Sequence, residues 1–105
     1  MKKSNYELAI SETIVATQYK DIVTLIAQGN NNTSGYKVFF EKSPIDVIPP
    51  EFILFQIPPS ELVLNAITPF TAVAAFHSDK ITKNLLVKDR NGKRTVEVLK
   101  IKAAV

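Results

Sequence analysis

The chain has 105 residues and a formal net charge of +3, with 46% hydrophobic and 22% charged residues, the make-up of one globular domain with no room for a second. It has one histidine, no tryptophan and no cysteine, so disulfide scaffolds, thiolate metal sites and cysteine nucleophiles are excluded. A chain of this length buries roughly 65% of its unfolded surface, enough for one core without covalent staples.

Met1-Lys2-Lys3 resembles the basic start of a signal peptide, but Glu7 and Glu12 interrupt the apolar run that must follow, so the segment reads as mature protein. No apolar stretch reaches the 18 or so residues that span a bilayer. The expectation is a soluble, cytoplasmic protein. Six prolines, three glycines and an Asn run then cut the chain into short apolar segments, the mark of strands joined by turns. The predicted strands are 6–17, 21–28, 36–42, 52–57, 62–67, 71–77, 84–89 and 94–101. Period-two alternation places Tyr6, Leu8 and Ile10 on one face, Tyr36, Val38 and Phe40 on another, and Ile53, Phe55 and Ile57 on a third.

Between residues 12 and 28 a helix competes. Val15, Tyr19, Ile22, Val23 and Ile26 fall at helical spacing, with Gly29 placed as a terminator. Eight β-branched residues in the same stretch favour strand, and the reading is two strands turning near 19–21. Asn31-Asn32-Thr33-Ser34 holds two overlapping glycosylation sequons and reads first as a polar turn. All six prolines fall between the predicted strands, and two Pro-Pro pairs bracket 51–57, as stiffened turns or a blunted edge strand would require. At the C-terminal end, Asn91-Gly92 predicts a type I′ hairpin in which Asp89 faces Arg94, Val87 faces Val96 and Leu85 faces Val98.

Ala27-Gln28-Gly29, Thr33-Ser34-Gly35-Tyr36, Ile48-Pro49-Pro50-Glu51-Phe52 and Ile57-Pro58-Pro59 together resemble a group of small bacterial proteins regarded as β-sandwiches with no assigned activity. The resemblance runs from Ile22 to Thr71. It departs at Tyr36, where tryptophan is usual, and lacks an Asp-Gly turn after Pro50. It implies a fold and no function. The fold class expected from punctuation and pattern is all-β, an immunoglobulin-like sandwich of seven or eight strands with a C-terminal hairpin, 1–105 forming one domain.

His77-Ser78-Asp79 gathers three catalytic residue types, but successive strand residues point to opposite faces and triads assemble from distant positions, so a strand-end histidine beside a polar turn is the preferred reading. The carboxylates Asp46, Glu51, Asp79 and Asp89 show no metal-ligand spacing, and whether Asp46, Glu51, His77 and Asp79 gather in space is left open. Widely spaced Gly29, Gly35 and Gly92 exclude a phosphate-cradling loop. Neither cofactor nor enzymatic activity is expected.

Charge is uneven. Residues 80–105 carry eight basic side chains against two acidic ones, a net +6, whereas residues 1–79 carry −3. Lys88, Arg90, Lys93 and Arg94 are therefore candidate anion contacts, and nucleic-acid or anionic-ligand binding through the hairpin 80–102 is the second functional reading. Solvated lysines that discourage edge pairing are the first. Phe39 lies opposite Val38 and Phe40, and Phe52 opposite Ile53 and Phe55, so these strands carry aromatic bulk on both faces. Either both faces are covered or one is a contact surface, with Phe39, Phe52 and Phe55 its candidates. The leading reading is a structural or protein-interaction module working through a sheet face or the strand 51–57, as a homo-oligomer, with a dimer expected.

Overall fold

A computed structural model describes residues 5–45, 48–60 and 63–102. The protein is all-β: β1 (Glu7–Leu8), β2 (Thr13–Tyr19), β3 (Ile22–Asn31), β4 (Lys37–Lys42), β5 (Glu51–Ile57), β6 (Thr68–His77), β7 (Asn84–Asp89) and β8 (Gly92–Ile101) form one eight-stranded sheet. Its order is β1-β5-β7-β8-β2-β3-β6, with β4 also on β5. Most pairs are antiparallel; β5 with β7 and β2 with β8 are parallel. β8 joins the two halves, its residues 92–97 pairing with β7 and 98–101 with β2. The sheet curls so that β4 and β6 come close without sharing a ladder.

Alternation builds the core between the halves. Ala16, Val23 and Leu25 from β2 and β3 meet Phe52, Leu85, Val87 and Val96 from the other half. A second cluster, Ala9, Ala27, Leu54 and Ala72, continues it. Two polar anchors fix the ends. Buried Gln18 donates to the Lys20 and Lys80 carbonyls and accepts from the Thr82 amide, holding the β6–β7 connection. Buried Asp89 accepts from the Ser11 hydroxyl at 2.8 Å, the Arg94 guanidinium at 2.7 Å and the Asn91 amide at 2.9 Å.

The two-strand reading of residues 12–28 holds: β2 and β3 form a hairpin closed by Tyr19 opposite Ile22, with Lys20 at φ 55° in the turn. Four local expectations change. Segment 6–17 is two strands, because the chain crosses from β5 to β3 at residues 9–12, the Ala9 amide bonding Leu54 and the Glu12 amide bonding Gln28. In the segment 62–67, residues 63–67 form no strand and Leu62 lies outside the described residues. That connector is tied instead to the 33–35 turn, where the Ser34 amide bonds the Leu64 carbonyl and Gly35, at φ 90°, lies against Pro59 and Val63. Pro69 sits inside β6 opposite Asn30, tolerated because β6 ends the sheet order and proline can use its unpaired side.

The C-terminal hairpin is displaced by two residues from the expected register. Asp89 faces Gly92, Val87 faces Arg94 and Leu85 faces Val96. The tip is Arg90-Asn91, and of the turn residues only Gly92 takes a positive φ, 115°, so the mirror-image turn expected of Asn-Gly is not formed. Asp89 accounts for this: its carboxylate accepts the Asn91 amide, an Asx turn that folds the chain one step early. A slip of two preserves every residue's face. The same register sets Lys88 directly opposite Lys93, a repulsion offset by Glu51, whose carboxylate lies 2.8 Å from the Lys93 ammonium.

Candidate functional site

The His77 cluster forms at the lower end of β6. His77 Nε2 is 2.8 Å from Asp21 and Nδ1 is 3.6 Å from Asp79, with about half or more of each side chain exposed. Ser78 is engaged elsewhere, donating to the Lys80 carbonyl and sharing a hydrogen with Thr82. The adjacent trio thus makes a histidine–aspartate pair and a turn serine, with no hydroxyl on the imidazole. The expected opposition of faces is the reason. Asp46 lies outside the described residues, and among those described no group of three or more histidine or acidic side chains could hold a metal ion.

Three of the four basic candidates pair with acids of the same chain, and the fourth, Lys88, stands opposite Lys93. Arg94 binds Asp89, Lys93 binds Glu51, and Arg90 lies 3.8 Å from Glu7 while its Nε donates to the Leu8 carbonyl. The Lys93 ammonium, then the Ser43 hydroxyl, hold the Glu51 carboxyl below its ordinary range against the opposing effect of burial, and the Lys88 charge adds to the lowering. The +6 of the C-terminal part and the −3 of the remainder thus meet along the seam between hairpin and body.

The aromatic candidates separate. Phe52 is in the core, 6% exposed, stacked on Phe76 at 5.5 Å and edge-on to Phe40. Phe39 and Phe55 share the outer face of β4 and β5, where Tyr6 covers both, its ring 5.1 and 5.3 Å from theirs. Of the two alternatives for strands with aromatic bulk on both sides, coverage from within the chain describes this face. Nor is 51–57 a sheet edge: β4 lines one side of β5 over 52–57, and β1 and β7 divide the other side between them.

The outer face of β2, β3, β6 and the last residues of β8 is different. Registers stack its outward residues in rows: Thr13, Gln28 and Thr71; Val15, Ile26 and Val73; Thr17, Thr24 and Ala75 beside Leu99; Tyr19, Ile22 and His77 beside Ile101. His77 stands at one corner, and no aspartate, glutamate, lysine or arginine stands in these rows. Val15, Tyr19, Ile22, Val73, Leu99 and Ile101 are each between 42% and 58% exposed. Four strands spaced about 4.8 Å, with rows spanning about six residues at 3.4 Å each, give a face on the order of 400 Å² in plan. Contiguous bare apolar patches of that size mark contact surfaces more often than isolated exposed side chains do.

Sequence reasoning missed this face, although a signal was present. Ile22-Val23-Thr24-Leu25-Ile26-Ala27 is uncharged at every position, the pattern of a strand covered on both sides, yet β3 is covered on one. No protein-family model, curated protein or solved structure matches the chain.

Proposed function

We propose that this protein is a non-enzymatic β-sheet module, of the immunoglobulin-like sandwich type, that works by protein contact through the outer face of β2, β3, β6 and the end of β8. The observation that carries this reading is the uncharged, half-exposed set Val15, Tyr19, Ile22, Val73, Leu99 and Ile101, gathered from four strands. The rows of β2, β3 and β6 carry no aspartate, glutamate, lysine or arginine, Glu97 flanking them beside Val15, and burying them is favourable at about 25 cal/mol per Å² of apolar area. The engagement of Ser78 by the Lys80 carbonyl and Thr82, away from His77, supports the non-catalytic part of the reading. Anion binding through 80–102 ranks second, since Arg90, Lys93 and Arg94 already answer Glu7, Glu51 and Asp89.

The test is positional photocrosslinking. Benzoylphenylalanine at position 73, on the bare face, is expected to give a crosslinked species in the cells that make the protein, and the same group at position 88, on the charged face, none. Crosslinks at 88 and not at 73 would overturn the reading.

A further inference from the structure

Resting on that reading, we infer that the occupant of the bare face is a second copy of the same chain, packed face to face about a two-fold axis that sets the strands of the two copies antiparallel. The first support is area. Two such faces of roughly 400 Å² in plan, with side-chain relief added, bury on the order of 1,000 Å² in total, about the least area that a specific protein interface buries. The second is charge. A chain carrying +3 meets no like charge across these rows, whereas on the opposite face Lys88 and Lys93 would oppose their own copies.

The third support selects the orientation. The two ends of β2 carry opposite signs: Glu12 precedes its first residue and Lys20 follows its last. An axis lying in the interface and crossing the strands at the Thr17–Thr24 row brings Glu12 of each copy over the partner's Lys20. It also lays Val15, Ile26 and Val73 over the partner's Tyr19, Ile22 and His77. A parallel arrangement would leave each Glu12 at the partner's Glu12 end and each Lys20 at its Lys20 end. Two sheets stacked in this way keep the aligned geometry of natural sandwiches, and the contact is isologous, so it closes at two copies.

Sedimentation equilibrium on the full chain tests this. The expected mass at micromolar concentration is twice 11.7 kDa. V73K, at an exposed position, is expected to sediment at the monomer mass with an unchanged circular dichroism spectrum, its dissociation constant raised at least 100-fold. E12K and K20E are each expected to weaken the dimer about tenfold, and E12K/K20E together to restore it; additive weakening would overturn the antiparallel arrangement. A wild-type chain that stays at 11.7 kDa into the high micromolar range overturns the second copy as occupant. In that case a crosslink from position 73 in cells, absent from the purified protein, leaves the contact reading standing, and no crosslink in either setting removes both. A dimer that survives V73K also overturns the inference.

Discussion

The two outer faces of this sheet are made from the same kind of strand and finished differently. On β4, β5, β7 and the first part of β8, Lys37, Glu41, Lys88, Lys93 and Glu97 interrupt the apolar positions, and Tyr6 lies over Phe39 and Phe55. On β2, β3, β6 and the end of β8, no aspartate, glutamate, lysine or arginine stands in the outward rows, and Lys20, its ammonium 5.5 Å from the Tyr19 ring centre, reaches only the end row. Both faces carry large side chains, so hydrophobicity alone does not separate them. What separates them is whether the chain supplies its own cover. A face that does is a structural solution; a face that does not is where we propose that a partner sits.

The largest effect is expected where the self-covered half is tied to the body. Asp89 is fully buried and receives Ser11, Arg94 and the Asn91 amide, so Asp89→Ala strips three donors of their acceptor at once. The expected loss is about 3 kcal/mol in urea unfolding, at the lower end for a buried ion pair because the Arg94 side chain remains partly solvated. Among its consequences should be a loosened Arg90-Asn91 tip, seen as faster amide exchange at Asn91. A loss below about 1 kcal/mol would show that the hairpin register does not depend on this carboxylate.

Asp89 also explains how far the fold was legible in the sequence. The all-β class, the β2–β3 hairpin and the faces of β7 and β8 all follow from local pattern, because alternation and β-branching act on neighbouring residues. The hairpin register did not, because it depends on a contact from Asp89 to Ser11, 78 positions away, and on an Asx bond that competes with the Asn-Gly turn preference. For the same reason the pairings of Arg90 with Glu7 and Lys93 with Glu51 were invisible, and the hairpin looked more basic than its surroundings leave it. The bare face was half visible: β2, β3 and β6 read as uncharged in sequence, but only the register brings Val15, Ile26 and Val73 into one row.

A smaller effect sharpens the comparison directly. Tyr6→Ala removes the cover from Phe39 and Phe55 and should make the charged face resemble the bare one. The expected cost is about 2 kcal/mol, from two ring contacts and the buried area that goes with them. Binding of a fluorescent apolar dye should rise with it. If stability falls and dye binding does not, Lys37, Glu41 and Lys88 are sufficient to keep that face closed to ligands without the tyrosine.

Acid should act on one half and spare the other. The Glu51 carboxyl titrates below its ordinary value of 4.5 in the folded chain, chiefly because Lys93 binds its charged form. As pH falls, the unfolded chain takes up that proton first, so the stability present above the ordinary value is lost as pH drops through the depressed one. Glu51→Gln should therefore flatten the acid limb of the stability profile below about pH 4.5 while lowering stability at neutral pH, where Lys93 loses its partner and again opposes Lys88. Unfolding midpoints measured from pH 3 to pH 7 decide it; parallel wild-type and variant profiles would refute the assignment to Glu51.

The smallest effect is the most discriminating. Val73→Thr exchanges an apolar for a polar group at a position 58% exposed in the centre of the bare face, keeping the β-branch that suits a strand. Measured at concentrations below the dissociation constant of the proposed dimer, the change in unfolding free energy should stay within about 0.5 kcal/mol, as for other surface substitutions. The paired change Phe55→Thr, on the face that Tyr6 covers, removes a ring that two aromatic neighbours contact and should cost several times more. Raising the concentration should then reverse the ranking if the proposed dimer forms: it gains stability by mass action, so wild type climbs with concentration while Val73→Thr lags behind it and Phe55→Thr climbs in parallel. If Val73→Thr instead costs as much as Phe55→Thr in dilute solution, the bare face holds the monomer together and is not reserved for a partner.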